Sequence, residues 1–141
     1  MRYNICIGTH HKTGTVWMDP VFRLLAKKIG VPFVHLPGMN LREQPQELKR
    51  IAAAQGPCIF FDTHSRFPDS FLQGIEFRGL HLLRHPKDVA ISCARYHQFS
   101  EEKWLHRPWQ EYQGRTYQEV INSLPTFWDR VAFELNNIAG A

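Results

Sequence analysis

Short apolar runs alternate along this chain with segments in which apolar residues recur at helical spacing. Residues 3–7 form a short run with β-branched side chains, which predicts a buried strand, and Gly8 opens a polar loop after it. Helical spacing starts at Thr15, and Gly30 with Pro32 predicts the end of that helix. This order of strand, glycine loop and helix is the unit from which parallel α/β sheets are built.

The same alternation continues toward the C-terminus. Residues 31–36 and 58–62 predict the second and third strands, with a helix over 45–55 between them. Residues 80–84 predict a fourth strand, and a helix follows from 86 to about 98. We therefore expect a three-layer α/β fold with a mainly parallel central sheet, because strands that are apolar throughout belong in sheets covered on both faces.

Other segments break this alternation. Pro37 and the glycine after it separate the second strand from the next helix. In residues 100–115 the apolar residues have no steady period, which predicts a long surface loop that is a candidate lid or acceptor-binding segment. A capping box at 116–119 predicts a further helix, with a break at Pro125 and helical spacing up to Ile138.

The composition limits the class of protein. With 141 residues and 43% apolar residues, the chain matches one domain with a real core. The net charge is +4, but the basic residues are scattered, which favours a small polyanionic ligand and argues against nucleic acid as a partner.

Cysteine usage and the N-terminal region indicate the compartment. The chain has three cysteines, Cys6, Cys58 and Cys93, which lie in apolar stretches without a CxxC pair, so we expect buried thiols in a reducing compartment. The first apolar run is too short for a signal peptide or a membrane span. These features predict a cytoplasmic protein that does not enter a membrane.

The first loop predicts an anion site. A loop between a strand and a helix N-terminus directs unpaired backbone N–H groups and the positive end of the helix dipole to one point. The dipole contributes only about 0.3 to 1 kcal/mol at an exposed end, so a nucleotide also requires a side-chain cation and stacking. The expected groups are the N–H donors of Thr13, Gly14, Thr15 and Val16, the ammonium of Lys12 and the ring of Trp17.

The order of residues in this loop separates it from Walker A, because the lysine precedes the second glycine. The segment Lys12-Thr-Gly-Thr-Val-Trp17 resembles the Lys-Ser-Gly-Thr-Thr-Trp loop of the PAPS-dependent sulfotransferases, where PAPS is 3′-phosphoadenosine 5′-phosphosulfate. A second segment, from Arg84 to Ser92, is similar to the family's Arg-Asn-Pro-Lys-Asp-Val-Ala-Val-Ser. A third, at Asp62-Thr-His64, is similar to its Lys-Thr-His.

This resemblance implies a P-loop NTPase-like arrangement and PAPS as co-substrate. It assigns Lys12 to the leaving phosphate, His64 to the role of general base, and Arg84 with Ser92 to the 3′-phosphate of the cofactor. An arginine fork suits phosphate oxygens, and a neutral imidazole can accept a proton at pH 7. The reaction scheme requires no metal. The acceptor would be a small molecule or carbohydrate. The aromatic residues Phe99, Trp104, Trp109 and Tyr112 either form a wall for such an acceptor or belong to the core.

Several alternatives stay open at this level. Asp62 after an apolar strand also resembles the aspartate of a magnesium-dependent phosphotransferase, and a non-catalytic nucleotide-binding module would share the same loop. Trp17 could contact adenine or pack in the core. A zinc site formed by Cys6, His10, His11 and His64 has a poor spacing for metal ligands.

The resemblance covers residues 3–99, and the family's longer chains carry a C-terminal Arg-Lys-Gly segment that has no counterpart here. The chain is therefore expected to be a fragment, a minimal sulfotransferase that closes its site as a homodimer, or a binding protein without catalysis.

Overall fold

The computed structural model describes residues 2–36 and 44–137. The chain divides into two compact units, of which one ends at Leu83 and the other begins at Arg84. The predicted break at Pro37 and the predicted helix end at Ile138 lie outside the described residues.

The first unit contains a four-stranded sheet in which every pair of neighbouring strands is parallel. Its strands are β1 (Asn4–Gly8), β2 (Phe33–Leu36), β3 (Ile59–Asp62) and β4 (Phe77–His81), and their order across the sheet is β2-β3-β1-β4. The predicted α/β class with a parallel central sheet is confirmed. All of β3 is buried, as expected for an apolar strand at the centre of a covered sheet.

The fourth strand does not lie where the sequence predicted it. The expected strand covered residues 80–84, whereas β4 is Phe77–His81 and all five of its residues are exposed. The pairing of Asn4 with Phe77 and of Gly8 with His81 fixes this register, so the ladder ends where β1 ends. The apolar residues Leu82 and Leu83 continue the hydrophobic pattern beyond the last paired residue, so the sequence predicted a strand that ends too late. The exposed β4 is the edge strand of the sheet.

Helices cover both faces of the sheet. Helix α1 (Thr15–Ile29) packs on the face that includes Ile7, Ile59 and Phe61. The opposite face, with Cys6 and Phe60, contacts α2 (Pro45–Gln55) and the short α3 (Asp69–Leu72). The alternation of side chains along each strand therefore produces two separate cores in one sheet.

Helix α1 begins and ends as predicted, but a different row of its residues faces the sheet. Gly30 is in the left-handed conformation, and its N–H donates to the carbonyls of Ala26 and Lys27, which ends the helix. The residues that pack against the sheet are Met18, Phe22 and Ala26. Trp17, Val21, Leu25 and Ile29 also recur at helical spacing in the sequence, but all four are exposed.

The second unit is helical. It contains α4 (Pro86–Tyr96), α5 (Tyr117–Ser123) and α6 (Phe127–Asn137), and the capping box of Thr116 and Glu119 at α5 is present as predicted. The segment 100–115, predicted as a long surface loop, contains two turns of 3-10 helix, Lys103–His106 and Gln110–Tyr112. Its Leu105 is completely buried, which ties the segment to the core of this unit.

A buried polar cluster lies inside the second unit. Nδ1 of His97 is 2.7 Å from Oε1 of Glu134, and the Tyr117 hydroxyl donates to Oε2 of the same carboxylate at 2.9 Å. Burial, reinforced by the charge of Glu134, raises the pKa of Tyr117, so its hydroxyl remains protonated and continues to donate. Because each carboxylate oxygen has a partner, Glu134 can be fully buried without an unpaired charge.

The three cysteines are buried and none of them is in a disulfide, as the sequence predicted. Burial raises the pKa of Cys6 to about 12, so this thiol stays protonated near neutral pH.

Within residues 2–36 and 44–137, no helix is long and apolar enough to cross a bilayer.

Replacing Glu134 with alanine is expected to lower the free energy of unfolding by about 3 kcal/mol, since the donors on His97 and Tyr117 lose a buried partner. Urea unfolding monitored by tryptophan fluorescence measures the change. Glu101→Ala is the control, because Glu101 is exposed and its loss should change the midpoint little. Equal midpoints for the two variants would contradict a stabilising role for the cluster.

Candidate functional site

The carboxyl ends of three strands meet at one edge of the sheet. Strand β1 lies between β3 and β4, and Gly8 is in register with both Asp62 and His81. The chain leaves β1 toward β2 through α1 on one face and leaves β3 toward β4 through α3 on the other face. This reversal at β1 creates the crevice in which open α/β sheets bind ligands.

The loop that follows β1 is held by its own threonines. The hydroxyl of Thr13 accepts from the His10 N–H at 2.8 Å and donates to the His10 carbonyl at 2.9 Å. The hydroxyl of Thr15 donates to the Thr9 hydroxyl at 2.8 Å and to the His10 carbonyl at 3.1 Å. The loop therefore has a fixed shape before any ligand binds.

One predicted anion donor is already used inside the loop. The N–H of Thr13 donates to the His10 carbonyl at 3.1 Å, so the prediction that it faces the anion is wrong. The N–H groups of Gly14, Thr15 and Val16 make no hydrogen bond with any residue that the structure describes. They are the unpaired donors expected at the start of a helix, and they agree with three of the four predicted positions.

Lys12 adopts a conformation that is uncommon for a lysine. Its φ is +60°, in the left-handed region, and Gly14 two residues later has a φ of +98°. A side chain at such a φ costs about 1 to 2 kcal/mol relative to ordinary backbone, and this cost is tolerated only where the surroundings dictate the turn. The half-buried Lys12 therefore occupies a turn position that local preference alone would give to glycine.

Trp17 lies in the first turn of α1, where 76% of its surface is exposed. This position argues against the alternative in which the ring packs in the core. A large exposed aromatic beside unpaired N–H groups can stack on a planar ligand.

Hydrogen bonds also join the loop after β1 to the loop after β3. The N–H of Thr9 donates to the Asp62 carbonyl at 2.9 Å, and the Ser65 hydroxyl donates to the Thr9 carbonyl at 3.0 Å. Ser65 has a φ of +53°, so each of these two loops contains a non-glycine residue in the left-handed region. A Cβ on Gly8 would lie 2.3 Å from Ser65 Oγ, so only glycine permits this close approach.

The predicted base lies in the loop after β3, and the aspartate that precedes it is the last residue of β3. His64 is exposed, and its backbone N–H donates to Oδ1 of Asp62 at 2.8 Å. Asp62 is completely buried, so its carboxylate contributes to the turn after β3. The first unit thus brings Lys12 and His64 to the same edge of the sheet.

A pair of histidines at this edge was not among the predicted site residues. Nε2 of His10, in the loop after β1, is 2.7 Å from Nε2 of His81, the last residue of β4. Burial lowers the pKa of His10, and the charges of His81 and Arg66 lower it further, whereas Asp62 opposes the shift. Only the register of β4 could have revealed this pair, because 71 residues separate the two histidines.

The predicted 3′-phosphate residues belong to the second unit. Arg84 is exposed and precedes α4 by two residues, so it does not end a strand as the sequence predicted. Ser92 is half-buried within α4. The N-terminus of that helix is capped by His85, whose Nδ1 accepts from the Lys87 N–H at 3.3 Å.

The four aromatic residues considered for the acceptor site differ in their burial. Trp104 and Tyr112 pack against the buried cluster of Leu105, Tyr117 and Ile121, so they are core residues. Phe99 and Trp109 are exposed, and 75% of the Phe99 surface is accessible. Of the two alternatives for these aromatic residues, the core is therefore the one that applies to Trp104 and Tyr112.

Comparisons with protein-family models, with curated proteins and with solved structures give no significant match to this chain.

Alanine at Gly8 should lower the free energy of unfolding by about 1 to 3 kcal/mol, because its methyl group would meet the side chain and backbone of Ser65. Gly79→Ala on β4 is the matched control, since its Cβ would make only an ordinary contact, 3.8 Å from Phe77. Thermal unfolding of both variants gives the comparison. If Gly8→Ala is as stable as Gly79→Ala, the two loops are not held as closely as described.

Proposed function

We propose that this protein is a PAPS-dependent sulfotransferase that transfers a sulfuryl group to a hydroxyl or amine of a small molecule or carbohydrate. The observation that carries the proposal is the loop from Lys12 to Trp17, where a lysine in a strained turn stands beside unpaired N–H groups and an exposed tryptophan. These groups supply the cation, the anion donors and the stacking surface that a phosphosulfate nucleotide requires. The arrangement of strand, loop and helix in an open parallel sheet supports a P-loop NTPase-like fold.

Lys12 and the helix start have distinct tasks in this reaction. By analogy with phosphoryl transfer, the sulfur passes through a loose, in-line transition state, and negative charge develops on the oxygen that leaves with the 5′-phosphate. The Lys12 ammonium stabilises that oxygen. The N–H groups of Gly14, Thr15 and Val16 bind the departing phosphate, and their fixed positions avoid a reorganisation cost during the reaction.

The remaining roles come from the resemblance in sequence. His64 on the loop after β3 is the predicted proton acceptor, and Arg84 with Ser92 is predicted to bind the 3′-phosphate. An arginine suits this role because its planar fork makes two parallel hydrogen bonds to phosphate oxygens.

Ligand preference separates this function from its two rivals. Adenosine 3′,5′-bisphosphate, the product of sulfuryl transfer, is expected to raise the melting temperature, since a ligand at 100 times its Kd stabilises a protein by about 2.7 kcal/mol. A thermal-shift assay compares it with ATP plus Mg²⁺ and with buffer. A shift with ATP and Mg²⁺ alone would identify a phosphotransferase, and binding without PAPS turnover would identify a nucleotide-binding module.

Lys12→Ala should reduce PAPS turnover by at least about 100-fold, because the charge on the leaving oxygen loses its stabilising cation. Turnover is measured as release of adenosine 3′,5′-bisphosphate from PAPS with a panel of phenols, sugars and amines as acceptors. Lys28→Ala, at the exposed C-terminal end of α1, is the control and should retain full activity. Wild-type turnover in Lys12→Ala would refute the assignment of this lysine.

A further inference from the structure

Three observations single out the His10–His81 pair among the titratable groups at the edge of the sheet. The two Nε2 atoms are 2.7 Å apart, so one imidazole donates a hydrogen bond to the other. The backbone of His10 is held by Thr13 and Thr15, which also shape the loop that carries Lys12. His10 is half-buried and His81 is exposed, so the pair extends from the loop to solvent.

We propose that His10 and His81 form a two-imidazole proton relay, in which His10 accepts the proton of the attacking hydroxyl and His81 delivers a proton to water. This inference rests on the proposed sulfuryl transfer and assigns to His10 the proton-accepting role that the family resemblance implies for His64. It makes His10 a catalytic residue and His81 a relay residue.

The proton transfer balances without a further reactant. The hydroxyl oxygen of the acceptor forms a bond to the sulfur of PAPS, and the bond from sulfur to the bridging oxygen breaks, with its electron pair remaining on the 5′-phosphate. The hydroxyl proton binds Nδ1 of His10, and the proton on Nε2 of His10 crosses to Nε2 of His81. His81 then releases the proton of its Nδ1 to water, and both rings end neutral.

The surroundings of His10 favour this role. Among the residues that the structure describes, Nδ1 of His10 has no hydrogen-bond partner, so it is available to accept a proton. The charged groups that act on the ring are His81 at the end of β4, Asp62 at the end of β3 and Arg66 in the loop after β3. Burial, His81 and Arg66 hold the pKa of His10 below its usual value, so the ring is predominantly neutral at pH 7.

The pH dependence follows from the direction of this shift. A base is active in its neutral form, so turnover falls as the pH drops through the pKa of His10. Because that pKa is lowered, the acid limb of the wild-type profile should lie below pH 6.5, the ordinary imidazole value. In His81→Gln the repulsion by His81 is absent, so the acid limb should move to higher pH.

The experiment measures kcat for PAPS turnover against pH, with the acceptor that gives the fastest wild-type rate. His10→Gln is expected to lower kcat by about 100-fold, typical for loss of a general base, and His81→Gln by a smaller factor with the shifted acid limb. Added imidazole should partly restore His10→Ala, which would not occur if His10 only held the loop. Lys28→Ala, at the exposed C-terminal end of α1, is the control and should match the wild type.

The outcomes distinguish the relay from the function on which it rests. If the wild type turns over PAPS while His10→Gln keeps full activity and His64→Gln loses it, the relay is refuted and the sulfotransferase proposal stands. If the wild type neither binds adenosine 3′,5′-bisphosphate nor turns over PAPS, both are refuted. Thermal unfolding of each variant shows whether a loss of activity reflects a loss of fold.

Discussion

The parallel pairing of β1 with both β3 and β4 is the constraint on which the candidate site depends. Parallel strands end at the same edge, and the register places Asp62 and His81 beside Gly8. Residues that are far apart in the sequence therefore converge there: Lys12 follows β1, His64 follows β3 and His81 ends β4. Without this pairing the loop before α1 would remain an isolated helix start, which holds an anion only weakly.

The loops at this edge combine strain with rigidity. Lys12 and Ser65 both have left-handed φ values, and hydrogen bonds from Ser65 and Thr9 hold the two loops together. The hydroxyls of Thr13 and Thr15 are directed into the loop rather than toward a ligand. Stabilising hydrogen bonds thus offset an unfavourable backbone, which is the arrangement expected where a site must be formed before its ligand arrives.

The second unit depends on a different kind of interaction. Its core includes a carboxylate, Glu134, whose two oxygens are bonded to His97 and Tyr117. A buried charge is costly, so each member of the cluster restricts the side chains that the others can tolerate. Leu105 and the 3-10 turn around it join this core, which explains why the segment 100–115 is ordered despite its irregular sequence.

The sequence by itself determined the elements whose signals are local. Glycine and proline residues predicted where α1 and α2 end, and the capping box predicted where α5 begins. The lysine and glycine of the first loop predicted an anion site, and three of its four backbone donors are unpaired in the structure. The predictions of the helix ends and of the capping box succeed because turn conformations and helix caps depend on neighbouring residues.

Only the tertiary structure decided which residues share the site and which are core. The bounds of β4 depend on where β1 ends, so the apolar residues that follow His81 misled the prediction. The partner of His10 is His81, at the end of β4. The close approach of Ser65 to Gly8 joins two residues that are 57 positions apart in the sequence. Trp17 is exposed although it lies at helical spacing, and Trp104 is packed although its segment has no steady period. Such choices depend on packing between distant segments, which the spacing of residues along a chain does not specify.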